Sequence, residues 1–467
     1  CAARARCGQS LAMAQVVPHA PQKLPLVGHM AALMTGAPWD VMERWLRERG
    51  PTVRVEIPGT SYLVTRDPEL IRHILVSGAD NYVKDMRSMG TFHDLLGSGL
   101  LTSDGEVWRR NRAILTKAFR IEALRGVVDV TLRAVDRLGV LLDASARAGE
   151  PIDLGAHFRR LTLQVIAEAT LQMTADESDD VLPRLYEPLV EEANKRVWMP
   201  LRAHVPIPAK FHYDRALAQL DAFLVEKVRG RLARRRADPE ARPVDMLDML
   251  IAGLDDGSWD ARTELLVCDE LKTMLFAGHD TSSAMLTWTL HALTQHPREL
   301  DRLRAAAAEV FVGEGVPDYE QLKRLDVAGA CLKEALRLYN IVPIVTRQAV
   351  ADDRFGGLEI PRGERIMVHL QGLHKDPSQW PDPDSFRPER FLGDEPVGHR
   401  WLPFIVGPRS CVGQHFSLLE AKIVLSVLAL RYDFSPDPKN SDARHRFNVP
   451  VGPRAPIRVH VRPRARA

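Results

Sequence analysis

The apolar positions of this chain change period along its length. Between Pro51 and Thr65 they alternate: Val53, Val55 and Ile57 are separated by polar residues, Pro58-Gly59 follows, and Tyr62-Leu63-Val64 resumes the run. Period two broken by Pro-Gly predicts a hairpin. Asp67-Pro68 predicts the cap and first turn of a short helix reaching Leu75. Lys84 to Leu101 is dotted with glycine and lacks a clear period, which predicts an irregular loop over a pocket.

Beyond that point the period is helical. Apolar residues recur every three to four positions over Asp104–Phe119, Ile121–Ala146, Leu154–Met173, Val181–Val197 and Pro208–Arg236. Pro200, Pro206 and Pro208 interrupt the last two, and Val197–Pro208 is expected to be a mobile lid. The longest pattern runs from Asp260 to His296 and stops at Pro297, a helix of roughly 50 Å. Further helices are expected over Asp326–Tyr339 and Gln414–Arg431. A strand is expected at Ile366–Leu370, a proline-rich meander over Asp376–Phe391, and a terminal hairpin over Phe447–Val461. The fold class is therefore mainly α with small β-sheets (α+β). A flexible or processed tail over 1–20 precedes a single large domain over 21–467, with no repeat or low-complexity linker dividing it.

With 467 residues and 45% hydrophobic content, the chain can bury a large core. A net charge of +2 offers no global attraction to nucleic acid. The cysteines Cys1, Cys7, Cys268, Cys331 and Cys411 are scattered, unlike a disulfide framework, which points to a reducing, intracellular compartment. No uncharged apolar run of about 18 residues predicts a transmembrane helix. Arg4, Arg6 and Lys23 precede the first acidic residue, Asp40. That start resembles the remains of an organelle transit peptide, for a plastid or mitochondrion, as much as it resembles a plain Ala/Arg tail.

Candidate chemistry centres on Phe404-Ile405-Val406-Gly407-Pro408-Arg409-Ser410-Cys411-Val412-Gly413. Cys411 is expected at a helix N-terminus, where the macrodipole and backbone N–H groups favour a thiolate. Gly407 and Gly413, without a Cβ, would let the backbone approach something flat and bulky. A buried structural cysteine, or half of a zinc site with His415, remains open from this loop alone. Elsewhere, Trp108 and Arg112 share a helix face, as do Glu334 and Arg337. The latter pair reads as an ordinary surface ion pair or, if buried, as a structural one. Gly278 sits mid-helix at a cost of about 1 kcal/mol, so it calls for a reason, and room for a ligand is the functional one. Asp280-Thr281 adds an acid and an alcohol; the bland alternative is a kinked helix with Thr281 back-bonding to the preceding turn.

At every fixed position the Cys411 loop resembles the haem-binding loop of the cytochrome P-450 superfamily, F-x-x-G-x-R-x-C-x-G. W-x-x-x-R at Trp108, A-G-x-D-T at Ala277 and E-x-x-R at Glu334 occur in the family's order, and the resemblance covers about residues 20–462. It implies haem b, with Cys411 as the iron ligand. Trp108, Arg112, Arg347 and Arg409 would hold the propionates, and Phe404, Gly413 and Ala277 would lie against the macrocycle. Asp280 and Thr281 would deliver protons, and Glu334, Arg337 and Arg390 would form a buried ion network behind the loop.

The activity implied is monooxygenation of a lipophilic substrate with O2. Electrons would come from NAD(P)H through an acidic partner, a ferredoxin or flavin reductase. The partner is expected on Arg109, Arg110, Arg112, Lys422 and Arg431. Leu95, Leu96, Met274, Ala277, Ile344 and Val345 are the expected pocket residues, all apolar or small. The family alternatives are an isomerase or dehydratase that takes a peroxide without a reductase, and a non-catalytic haem-binding protein. Pro18, Pro21 and Pro25 resemble the hinge that follows a membrane anchor in this family, consistent with peripheral membrane contact. A monomer is expected, and the tone of the motifs is similar to eukaryotic fatty-acid and plastid carotenoid hydroxylases.

Overall fold

The structure is a computed structural model that describes residues 16–119, 121–240, 243–255, 257–313, 316–393, 397–439, 445 and 449–465. Arg4, Arg6, Cys1, Cys7, Phe447 and Arg466, and with them most of the expected tail, lie outside the described residues. Contacts gather the chain into two compact units: Cys1–Asp85 with Ile344–Leu373 and Ile405–Arg409, and Met86–Pro343 with His374–Phe404 and Ser410–Ala467.

The smaller unit is built on the predicted hairpin. Thr52–Ile57 and Thr60–Thr65 pair antiparallel, with Val53 opposite Val64. Gly59, at φ 74, makes the turn that Pro58 begins. Arg365–His369 adds in parallel, Ile344–Ala349 pairs antiparallel with it, and Tyr82–Val83 forms the far edge. Alternation sends Val53, Val55, Tyr62 and Val64 into one core with Trp45 and Leu46 of the Pro38–Arg49 helix. Ala20 N donates to Arg54 O, and Arg54 N to Pro18 O, each at 2.9 Å. Residues 18–20 therefore belong to this unit's ordered structure. Asp67 caps Pro68–Arg72 as expected, accepting from the N–H groups of Glu69 and Leu70.

The larger unit is helical. Gly105–Ala118, Ile121–Ala148, Leu154–Leu171, Pro208–Ala237, Asp326–Leu338 and Gln414–Arg431 fall within a few residues of the periodic patterns. The central helix, Ala261–Gln295, has 35 residues and is capped by Asp260, which accepts from Thr263 N. It packs against Leu154–Leu171, Asp326–Leu338 and Gln414–Arg431. Helices Met246–Leu254 and Pro297–Ala308 were not anticipated. Among the described residues no helix is long and apolar enough to cross a membrane.

Three expectations fail here for physical reasons. The supposed loop at Lys84–Leu101 contains a helix, Met86–Leu96. Met89, Phe92, Leu95 and Leu96 give it an apolar face, which the core buries. Phe92 packs on Phe276 of the central helix, with ring centroids 5.4 Å apart. Val181–Val197 is not one helix: Ala175–Leu185 ends at Tyr186, and Glu187–Trp198 restarts with Pro188 in its first turn, where a missing N–H does no harm. The terminal hairpin is also absent among the described residues. Arg458–Pro463 instead pairs with Tyr432–Pro436 on one side and Ile152–Asp153 on the other. The expected lid contains a short turn, Pro200–Ala203, and Arg202 reaches back to Glu192 at 2.9 Å.

Candidate active site

The cysteine loop is held by groups that lie far from it in sequence. Leu402 N donates to His374 Nε2 at 2.7 Å, and Trp401 Nε1 donates to Lys333 O at 3.1 Å. Phe404 meets Trp401 edge-on at 6.1 Å, and Cys411 N donates to Phe404 O at 2.9 Å, closing the loop. Gln414–Arg431 then begins with Gly413 as its cap residue.

The Cys411 sulfur is accessible even though protein surrounds it closely. Burial pushes the thiol pKa up; the Gly413 N–H, the Arg112 guanidinium and the Gln414 N–H pull the other way. Those three groups favour a thiolate, the form a metal binds. Arg112 Nη1 donates to Ser410 O at 2.5 Å and Nη2 to Ser410 Oγ at 3.3 Å, so this arginine grips the loop. Trp108, one turn earlier on the same helix, is half-buried. Arg347 and Arg409 both belong to the smaller unit. Arg347 is buried on the Ile344–Ala349 strand and donates to Thr346 O at 2.7 Å, while Arg409 is half-buried.

The two loop glycines differ. Gly407 has φ +82, and a Cβ there would stand 2.0 Å from Leu75 O. The chain's own backbone requires this glycine, which corrects the expectation that it serves a flat ligand. At Gly413 the nearest atom to a Cβ is Phe119 Cε1 at 3.7 Å, an ordinary contact, so the protein alone does not require glycine there.

On the central helix, Ala277 is exposed and Thr281 half-buried, although Met274–Phe276 and Ser282–Leu286 are buried. Spaced four apart, the two share one accessible face. Thr281 Oγ1 donates to Ala277 O at 2.5 Å, the back-bond of the bland alternative, within an uninterrupted helix. That bond uses the hydroxyl proton and leaves the oxygen able to accept. Asp280 is half-buried beside it. Gly278 is explained differently from expectation: a Cβ there would lie 2.9 Å from Ile166 Cδ1 and Cγ1. It admits the Leu154–Leu171 helix rather than a ligand. Leu95 and Leu96 are fully buried in the core and Met274 nearly so, so they do not line an accessible surface. Ile344 and Val345 are half-buried on the smaller unit's sheet.

The Glu334–Arg337 pair is fully buried, both side chains 0% exposed, with two bonds of 2.8 Å. Arg390 joins Glu334 at 3.3 Å, as the resemblance implied. Arg337 also donates to the carbonyls of His374, Pro383 and Ser385, and Arg387 N donates to Glu334. Burial holds His374 neutral, its pKa depressed to about 3. His374 and Trp401 carried no motif signal; only the tertiary contacts reveal them.

Two of the expected docking cations are not presented outward. Lys422 is half-buried, its stem packed on Gly329, and burial lowers its pKa. Arg112 is turned to Ser410, as described. Arg109 and Arg110 are exposed, while Arg431 pairs with Asp136 at 2.6 Å.

Glu420, on the helix after Cys411, was also missed. It is 1% exposed, among the described residues its carboxyl oxygens have no hydrogen bond of good geometry, and burial pushes its pKa to about 8 despite a nearby Ser282 hydroxyl. The folded state thus holds the proton while the unfolded chain releases it near pH 4.5. The contribution is fully present below pH 4.5 and is lost as pH rises to about 8. Glu420→Gln should flatten that part of the stability–pH curve by a few kcal/mol (~1.4 per pKa unit), measured by urea unfolding at stepped pH.

One accessible cysteine sulfur, beside amide N–H groups and a guanidinium that favour its ionised form, fits a metal whose other ligands come from a macrocycle. Among the described residues no cluster of three or more His, Cys, Asp or Glu is gathered for a metal. Fold and site together define a haem-thiolate protein. The cytochrome P450 family model matches residues 18–454, and the chain belongs to the cytochrome P450 family.

The chain is 30% identical over 410 residues to Protein LUTEIN DEFICIENT 5, chloroplastic, of Arabidopsis thaliana, covering 82% of this chain and 67% of that protein. It is 27% identical to Cytochrome P450 4c21 of Blattella germanica, covering 97% and 94%. It is 28% identical to a cytokinin hydroxylase of Arabidopsis thaliana, covering 80% and 73%. The crystal structure of the cytochrome P450DA heme domain superposes with a TM-score of 0.85 at 24% identity, covering 97% of this chain and 99% of that one. The chain is accordingly a P450 monooxygenase, an enzyme that uses haem iron, O2, a substrate and a redox partner.

Proposed function

We propose that this enzyme hydroxylates a lipophilic molecule, with electrons supplied from NAD(P)H by a separate acidic partner such as a ferredoxin or flavin reductase. The observation that carries the reading is the accessible Ala277–Thr281 face, with an acid and an alcohol, on a helix packed against the one that starts beside Cys411. When bound, haem would supply oxygen activation, with a thiolate ligand favouring O–O cleavage.

The chain's own residues supply the rest. Cys411 would bind the iron, and Gly413 and Phe404 would lie against the macrocycle. Arg112 and Trp108 would answer its carboxylates, the role that the family resemblance also gives to Arg347 and Arg409. Asp280, once protonated from solvent, would hand its proton to Thr281 Oγ1 as that hydroxyl turns its own proton from Ala277 O towards the accessible face. Ala277 contributes a small apolar surface to the substrate side. Arg110 and Lys117, exposed on the same helix, offer positive charge to an acidic partner, joined by Arg109, which shares its charge with Glu106 at 3.1 Å. Met199, Val205 and Phe211, exposed apolar residues around the expected lid, support peripheral contact with a membrane from which a lipophilic substrate would arrive.

The test is a panel of fatty acids, sterols and carotenoids given with NAD(P)H, a reductase and O2. Difference-spectrum binding and a hydroxylated product are expected. No turnover, with rapid consumption of a lipid hydroperoxide, would overturn the reading in favour of the isomerase or dehydratase class. Thr281→Ala should lower product formation by on the order of 100-fold while electrons appear as peroxide. Unchanged coupling would leave Thr281 only its back-bond.

A further inference from the structure

Beside Asp280 lies a buried polar pair that the reading above does not use. His279 is 2% exposed, on the side of the central helix opposite solvent. Its ring meets Tyr186 edge-on, with centroids 6.0 Å apart and an interplanar angle of 67°. Tyr186 is 0% exposed and sits at the break between Ala175–Leu185 and Glu187–Trp198. His279 Nδ1 lies 3.4 Å from Asp280 Oδ1, longer than a good hydrogen bond. Among the described residues neither ring nitrogen of His279 nor the Tyr186 hydroxyl has a hydrogen bond of good geometry, although the Arg159 backbone carbonyl bears on the His279 ring.

Buried polar atoms in folded proteins are nearly always satisfied, and ordered water fills the role where protein does not. Three such atoms on two touching rings give a water several partners, as a stable buried water needs. The position is also rigid. Thr162 Oγ1 donates across helices to His279 O at 3.0 Å, and Gly278 next to it is packed on Ile166. The charged groups around the ring are Asp280, Glu187 and Arg159. Asp280 also acts electrostatically on Tyr186, which places all three side chains in one local field.

We infer that a buried water joins the Tyr186 hydroxyl to the His279 ring, and that His279 holds the Asp280 carboxylate in place for proton transfer to Thr281. The inference rests on the acid–alcohol reading of Asp280-Thr281. His279 is then a positioning residue, set against Asp280 at 3.4 Å on one side and bonded to the water on the other. Tyr186 sets the water's orientation.

Crystal structures of the haem-loaded protein provide the first readout. The expected wild-type result is a water within hydrogen-bond distance of both Tyr186 Oη and a His279 ring nitrogen, absent in Tyr186→Phe, which removes one atom and preserves the ring packing. A wild-type structure without that water overturns the first half of the inference. In His279→Leu the Asp280 carboxylate should leave its wild-type rotamer, and in His279→Asn, whose amide keeps a donor near the Nδ1 position, it should stay. An unmoved Asp280 in His279→Leu overturns the second half.

Coupling gives the functional readout. Product per electron pair should fall several-fold in His279→Leu and recover in His279→Asn. Loss in Thr281→Ala with none in His279→Leu counts against His279 alone. Full coupling in both variants defeats the acid–alcohol reading instead, while diffraction still judges the water.

Discussion

Cys411→Ala is expected to abolish both turnover and the red-shifted carbon monoxide band of the reduced haem protein, because that band requires an axial thiolate. The protein should stay folded. Cys411 lies at the rim of its helix rather than in the core, and the loop's anchors are elsewhere: His374 on Leu402, Trp401 on Lys333 and Arg112 on Ser410. The reduced carbonyl spectrum checks the chemistry, and thermal unfolding of the apoprotein checks the fold. A retained band would refute Cys411 as the ligand. A collapsed fold would show that the sulfur also packs the loop.

Glu334→Ala should cost about 3–5 kcal/mol of stability, a large share of the 5–15 kcal/mol typical of a folded protein. Glu334 and Arg337 are both 0% exposed, so removing the carboxylate strands a guanidinium away from water. It also removes the partner of Arg390 and of the Arg387 N–H. The three carbonyls that Arg337 contacts keep it hydrogen-bonded, but they do not neutralise it. Denaturant midpoints and haem retention measure the effect. A loss below about 1 kcal/mol, the worth of a surface pair, would contradict the buried network.

The accuracy of the sequence reading followed how locally each feature is determined. The Thr52–Thr65 hairpin needs only alternation and a Pro-Gly turn, and the structure reproduces it residue for residue. The Gln414–Arg431 helix matches its expected ends because its period and its starting glycine lie side by side. The misreadings share one cause. Met86–Leu96 was hidden because Gly90, Gly97 and Gly99 suggested a loop, while the burial that overrides this comes from the central helix. Gly97 and Gly99 have a tertiary reason: a Cβ at either would collide with Asp269 or Thr273. Gly278 and Gly407 were assigned to a ligand, yet Ile166 and Leu75 occupy the space a Cβ would take. Lys422 counted as a surface cation until Gly329 was found against its stem.

His374, Trp401 and Glu420 show the same limit from the other side. Each is an unremarked single residue whose meaning comes from a partner distant in sequence or from enclosure. His374 and Leu402 are 28 residues apart, so no local pattern could pair them.

By itself the sequence determined the family and singled out Cys411 as the candidate iron ligand. Fixed spacings of glycine, arginine and cysteine around one loop encode a local geometry that needs no knowledge of the rest of the chain. Only the tertiary structure decided which charges are buried, which glycines serve packing, and that His279, Tyr186 and Glu420 hold polar atoms away from bulk solvent. Burial belongs to whatever packs against a residue, and that neighbour is set by the fold rather than by adjacency along the chain.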